Sequence, residues 1–227
     1  MSAYFFVKKE KNMMNKLALI FLAAFALFST STFAAGDAVK GKAKSITCIG
    51  CHGADGNSVV PTFPKLAGQS EGYLLKQLKD FKSRARIDTV MAGIVAPLSE
   101  ADMANLAAYF ATQKTSKGVP VSNALFKLGR TLYRGGKKKS GVTACIACHG
   151  PKGKGIPSAG FPALASQHAA YLSKQLKLFR QHSFNIQTGE TLPSRTNDYE
   201  GMMINFTKNL TSKEINAIAA YISSGLE

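Results

Sequence analysis

The chain has 227 residues, 45% of them hydrophobic, with 29 Lys and Arg against 13 Asp and Glu for a formal net charge of +16. At about 100–200 residues per domain, that length allows one or two domains. So basic a chain suits acidic partners, but its aromatic and basic residues are not interleaved as base stacking would need, which argues against nucleic acid.

The first element is a leader. "KKEKNMMNKLALIFLAAFALFSTSTFAAGDA" has a basic start, an apolar run from Leu17 to Phe28 and small residues ending in "TFAA". This is the layout of a secretory signal peptide over residues 1–34, cleaved after Ala34, with Thr32 and Ala34 at the two positions a signal peptidase reads. The apolar run falls short of the ~20 residues that span a bilayer. "MNKLALIF" is a complete signal start by itself, so translation beginning at Met13 or Met14 is equally consistent. Removing the leader takes away four lysines and one glutamate and leaves a charge of +13. Export is a second argument against nucleic acid. Lysine clusters such as Lys137–Lys139 also have a plainer role, keeping the surface solvated.

The remainder is a duplication. "CIGCHGADGN" matches "CIACHGPKGK", "FPKLAGQ" matches "FPALASQ", "YLLKQLKDF" matches "YLSKQLKLF", and "LSEADMANLAAYF" matches "LTSKEINAIAAYI". The matches are colinear and their offset grows from 97 to 98 to 112 residues, so the second copy carries insertions. That period is far above the 20–50 residues of solenoid repeats, and each copy is expected to be a domain. The expected boundaries are 35–114 for the first domain, 115–124 for a Gly/Pro-marked linker around "TSKGVPVSN", and 125–227 for the second.

Within each copy a short helix carrying Gly41 or Gly129 leads into a CxxCH motif, and a loop rich in Gly and Pro follows. A helix then places Leu74, Leu78 and Phe81 on one face. A last helix opens on a capping box, Ser99 with Asp102 or Thr211 with Glu214. Nothing alternates with hairpin turns between, so the fold class is all-α. Domains this small, with such long polar loops, need something further in their cores.

All four cysteines, Cys48, Cys51, Cys145 and Cys148, lie in the two CxxCH motifs. A thioredoxin-type redox pair needs a βαβ setting, which is missing. Structural zinc needs four ligands, and each motif offers three. Covalent haem attachment uses all of them: two thiols one helical turn apart add to two vinyl groups, and the next residue turns back to the iron. Cys48 and Cys51 are thus expected to anchor one haem c with His52 as proximal ligand, and Cys145 and Cys148 a second with His149. A proximal histidine donates its other N–H, commonly to a carbonyl. Pro64 and Pro162, twelve and thirteen residues on, are expected to shape the loop beneath each imidazole.

Haem c iron is commonly completed by Met or His. Met103 falls in the slot of Ile215 and belongs to the core. Met91 is expected in a loop seven residues before Leu98, and Met203 lies seven before Leu210, so repeat symmetry selects Met91 and Met203, with Met202 as the alternative in the second site. His168 aligns with Ser70 at a helix start, where a surface or capping role is expected. His182 lies in the inserted region.

With "CHG..G", "FPKLAGQ", "YLLKQL" and "LSEADMANLAAYF" recurring in both halves, the chain resembles the dihaem cytochromes c4 over residues 36–226. The resemblance implies two tandem class I cytochrome c domains facing each other. It further implies a periplasmic electron carrier, soluble or loosely held at the membrane, that passes electrons from the respiratory chain to a haem-copper terminal oxidase. One departure is that His52 to Met91 spans 39 residues and His149 to Met203 spans 54. The expected mechanism is outer-sphere electron transfer, with basic surface steering an acidic redox partner. Two other classes stay open at this point: the electron-transfer subunit of a dehydrogenase complex such as a flavocytochrome, and a dihaem enzyme such as a peroxidase or thiosulfate dehydrogenase.

Overall fold

The computed structural model describes residues 35–119 and 124–226, so the expected leader, the choice of initiator and residues 120–123 of the expected linker lie outside it. Ten α-helices carry the described fold, five per repeat. They are α1 (Ala38–Lys44), α2 (Ile46–His52), α3 (Glu71–Ser83), α4 (Thr89–Val95), α5 (Glu100–Ala111), α6 (Ala124–Gly135), α7 (Ile146–His149), α8 (Ala169–Thr188), α9 (Met202–Thr207) and α10 (Ser212–Ser223). Among the described residues, β pairing amounts to two isolated bridges, Lys137 with Val142 and Ile156 with Phe161. The all-α class follows directly from the sequence pattern.

In each repeat the first helix crosses the last, α1 over α5 and α6 over α10. The crossing is close because a glycine sits at it. A Cβ on Gly41 would lie 1.9 Å from the Asn105 carbonyl oxygen and 2.8 Å from Tyr109 Cβ. A Cβ on Gly129 would lie 2.0 Å from the Ala217 carbonyl oxygen and 2.8 Å from Tyr221 Cβ. Two backbones in contact leave no room for any other residue.

Both last helices start on complete capping boxes, Ser99 with Asp102 and Thr211 with Glu214. Behind them Met103 and Ile215 are fully buried in equivalent slots. The first core gathers Leu74, Phe81, Val95, Leu98 and Leu106. The second gathers Leu132, Tyr133, Leu172, Leu210 and Ile218. The growing offset between the repeats also has a place: α3 has 13 residues and stops at Arg84 in the left-handed region, whereas α8 continues to 20 residues.

The two repeats meet across a symmetric seam. Gln69 Nε2–H donates to the Ala163 carbonyl (2.8 Å) and its Oε1 accepts from Ala163 N–H (2.9 Å). Gln167 does the same with Lys65, donating at 2.9 Å and accepting at 2.9 Å. Each glutamine side chain thereby stands in for a backbone partner that its opposite loop would otherwise lack.

Replacing Gly41 or Gly129 by alanine is expected to destabilise the protein by about 3 kcal/mol or more, at the upper end of overpacking costs. Thermal unfolding of each single variant checks this. An alanine tolerated with unchanged Tm would contradict the close crossing.

Candidate haem sites

The first CxxCH motif lies on α2 and the second on α7 with Cys145 as its N-cap, and each helix ends at its histidine. His52 and His149 are both 7% exposed. His52 Nδ1 is 2.8 Å from the Pro64 carbonyl oxygen, and His149 Nδ1 is 2.9 Å from that of Pro162. A carbonyl can only accept, so Nδ1 carries the proton in both rings, and Nε2 keeps its lone pair. Burial pushes both imidazoles below the ordinary histidine range, with the proline carbonyl working the other way. Both rings are therefore neutral at pH 7. Phe63 and Phe161 pack at matching distances from them, with ring centroids 6.3 and 6.4 Å away.

None of the four cysteines is paired in a disulfide. Burial raises Cys48 and pushes Cys145 up to about 11. No group of three or more His, Cys, Asp or Glu among the described residues is placed to hold a metal ion by itself. What each site does offer is two thiols and one imidazole lone pair, which fits a metal that brings its own equatorial ligands.

Met91 is not in a loop, as its sequence neighbourhood suggested, but in the first turn of α4. Its N–H is held by the N-cap Asp88 at 3.1 Å. It packs, half-buried, on the same core cluster as Cys48. Met203 occupies the same register in α9. Val95 and Thr207, each four residues beyond its methionine, are both fully buried, and Leu98 and Leu210 follow. Met202 lies one position out of that register. Thr207 Oγ1–H donates to the Met203 carbonyl at 2.7 Å, and Asp198 Oδ2 accepts from Ile204 N–H at 3.1 Å.

His168 makes no capping bond. Its Nε2–H instead crosses the seam to the Ser58 carbonyl (2.9 Å) and Oγ (3.0 Å). His182 lies on the extended part of α8, with Nδ1 3.3 Å from Ser194 Oγ.

Inspection of the motifs alone misses a group at the seam. Arg86 and Arg195 are 8% and 7% exposed. Arg86 donates to Gln77 Oε1 (2.7 Å), Tyr171 OH (2.9 Å) and Gln175 Oε1 (3.0 Å). Arg195 donates to Gln175 Oε1 (2.9 Å), Tyr73 OH (3.2 Å), Gln77 Oε1 (3.1 Å) and Asn197 Oδ1 (2.8 Å). Arg86 stacks 4.6 Å over Phe81 and Arg195 stacks 4.6 Å over Phe179. The signal was present in the sequence: Gln77 and Gln175 recur at equivalent positions three residues after Leu74 and Leu172, polar residues held on a buried face.

The Cytochrome c family model matches residues 38–114 and 128–225 of the chain. Cytochrome c4 of Pseudomonas aeruginosa is 47% identical over 210 residues, covering 92% of this chain and 98% of that protein. The chain belongs to the cytochrome c4 family. The crystal structure of reduced recombinant cytochrome c4 from Pseudomonas stutzeri superposes with a TM-score of 0.76 at 45% identity, covering 85% of this chain and all of that one. A thiosulfate dehydrogenase electron acceptor of Thiomonas intermedia is 35% identical, covering 80% of this chain and 79% of that protein. As a dihaem cytochrome c4, the protein is an electron-transfer protein rather than an enzyme, and it binds covalently attached haem c in two tandem cytochrome c domains. The two cysteines of each motif and the buried histidine beside them, with Nε2 left unprotonated, fit that group.

Substituting Met91 or Met203 by alanine is expected to abolish one methionine-to-iron charge-transfer band and lower one midpoint potential. The drop should be on the order of 0.1–0.3 V, within the ~0.8 V that axial ligands command. Met202→Ala should leave both bands intact. Visible spectroscopy with a redox titration reads all three.

Proposed function

We propose that the chain is an exported, periplasmic shuttle that carries electrons from the respiratory chain to a haem-copper terminal oxidase. Bound haem supplies the one-electron iron couple. Cys48 and Cys51, and Cys145 and Cys148, would hold the two groups by thioethers. His52 with Met91, and His149 with Met203, would ligate the two irons. The Pro64 and Pro162 carbonyls fix the tautomer and the plane of each imidazole, so neither ligand has to reorient when the charge on iron changes. Paired His and Met ligation favours relatively high potentials, which suits donation to an oxidase. The single observation that carries this proposal is the pair of buried histidines, each with Nδ1 committed to a proline carbonyl, in a chain that is a cytochrome c4 along its length.

Charge supports a direction of docking. Residues 35–114 carry ten basic and seven acidic residues, and residues 115–227 carry fifteen and five. Exposed Lys138, Lys139, Lys152 and Lys154 flank the second CxxCH motif. The first also has exposed Lys42 and Lys44 before it, but Asp55 after it in place of lysines, and exposed apolar side chains, with Ile46 73% and Val59 90% exposed. An acidic partner would therefore be steered to the second repeat. Among the described residues no helix is long and apolar enough to cross a membrane.

A second role is favoured by the thiosulfate dehydrogenase electron acceptors among the relatives. Here the protein would take electrons from a dehydrogenase before passing them on.

Stopped-flow oxidation of the reduced protein by a haem-copper oxidase tests the first role, and reduction by thiosulfate dehydrogenase with its substrate tests the second. Fast, saturable oxidation that falls on the order of ten-fold as salt screens the docking charges is expected. Lys138→Glu with Lys154→Glu should slow it and flatten the salt dependence. Oxidation too slow to support respiration, beside fast reduction by the dehydrogenase, would replace the first role by the second.

A further inference from the structure

His168 and Ser70 stand at equivalent N-cap positions, of α8 and α3, but their side chains go different ways. Ser70 Oγ caps its own helix, accepting from Tyr73 N–H at 3.4 Å. His168 gives α8 no side-chain cap, so the helix start forgoes a usual partner for its orphan N–H groups. Its Nε2 lies instead 2.9 Å from the Ser58 carbonyl oxygen and 3.0 Å from Ser58 Oγ. A carbonyl only accepts, so Nε2 carries the proton and donates to both oxygens. Ser58 is 3% exposed. Its hydroxyl is committed onward, donating to the Phe63 carbonyl at 2.7 Å. Pro64 comes next, and its carbonyl accepts from His52. Hydrogen bonds and one peptide link thus run without a break from the second repeat to the imidazole of the first.

Two consecutive residues of the second repeat hold that loop on both sides of Pro64. Gln167 takes both backbone groups of Lys65, and its Oε1 also accepts from His168 N–H at 3.0 Å. The reverse direction has only the glutamine. Gln69 takes both backbone groups of Ala163, but Ser70 turns back onto α3. The residue matching Ser58 is Gly155, which has no hydroxyl to offer. Its φ is +73°, and a Cβ there would lie 2.4 Å from the Phe161 carbonyl oxygen, so no serine fits. The loop beneath His149 closes on itself instead. Ile156 and Phe161 exchange both backbone bonds, at 3.0 and 3.2 Å, and Gly155 N–H donates to the His149 carbonyl at 3.0 Å.

Resting on the haem-binding role proposed above, we propose that His168 is a positioning residue for the first iron centre alone, acting across the seam through Ser58 on the Pro64 carbonyl. Held firmly, that carbonyl draws on the Nδ1 proton of His52 and makes the imidazole a stronger donor, which favours ferric iron. Released, it leaves His52 a weaker donor and the first potential higher. The second centre has no such link. The two centres therefore differ in setting although their ligands match, and docking of the repeats is part of what sets the first.

The test uses the two-haem protein with His168→Ala, with Ser58→Ala, and with His168→Gln, whose amide N–H replaces the Nε2–H donor. A pyridine haemochrome assay first counts haem; fewer than two per wild-type chain would overturn the haem reading and this proposal with it. A redox titration followed by proton NMR then reads each centre through its own methionine methyl, and hydrogen exchange reads each imidazole N–H. His168→Ala is expected to raise the first potential, leave the second unchanged, and speed exchange of His52 Nδ1–H roughly two- to ten-fold, the equivalent of one hydrogen bond. His149 Nδ1–H should not respond. Ser58→Ala, which breaks the next link, should move the same readings the same way, and His168→Gln should return them towards wild type. With two haems bound, a first potential that stays or falls in His168→Ala sinks the proposal alone. So do two potentials that move together, the mark of a general loosening of the fold. Should no variant accumulate, nitrogen NMR of the wild-type His168 ring decides: the proposal requires the proton on Nε2, and a neutral ring protonated at Nδ1 contradicts it.

Discussion

A histidine whose Nδ1–H is committed to a backbone carbonyl has one lone pair left and one orientation in which to offer it. That bond, from His52 to Pro64 and from His149 to Pro162, is the constraint on which the rest of the structure depends. The loop that brings each carbonyl into place is itself pinned. Leu66 and Ala67 N–H donate to the Gly56 carbonyl, and Leu164 and Ala165 N–H to that of Gly153. Ser58 Oγ–H donates to the Phe63 carbonyl at 2.7 Å. Five residues beyond Pro64 and Pro162 the same loops supply Gln69 and Gln167, which clasp the opposite repeat. Orientation of the imidazole and docking of the repeats are thus written into one short stretch of chain.

The seam also sets two requirements against each other. Shared oxygen acceptors bring the Arg86 and Arg195 nitrogens within about 6 Å. At an effective dielectric of about 20, two unit charges at that separation repel by roughly 3 kcal/mol. The reciprocal amide pairs and the stacking on Phe81 and Phe179 act in the other direction. A hydrogen bond contributes about 0.5–1.5 kcal/mol net, so the clasp is of the size needed to hold the arginines together but leaves little margin. Docking that is this finely balanced responds to any added charge nearby.

The sequence made much of this legible. Duplication, helix class, capping boxes and the CxxCH motifs are all local patterns, and local patterns survive translation into structure. Repeat symmetry did more than composition could: it favoured Met203 over Met202 by register, and the fold has Val95 and Thr207 buried at that same register. The seam was less legible because it is made by residues far apart in the chain. Gln77, Gln175, Arg86 and Arg195 look like ordinary solvated side chains until two repeats bury them. His168 misled for a related reason. Its place at a helix start suggests a cap, but the partner it uses, Ser58, is 110 residues away. The extra turns of α8 were visible only as a growing offset, which locates an insertion without giving its conformation.

The central claim is that the two repeats hold equivalent iron centres, each between the histidine of its CxxCH motif and a methionine seven residues before a buried leucine. Proton NMR of the fully reduced protein tests it most directly, because a methionine methyl held against a haem ring is shifted far outside the normal envelope. Two such methyl resonances are predicted, one assigned to Met91 and one to Met203. A single shifted methyl, or one belonging to Met202, would contradict the account.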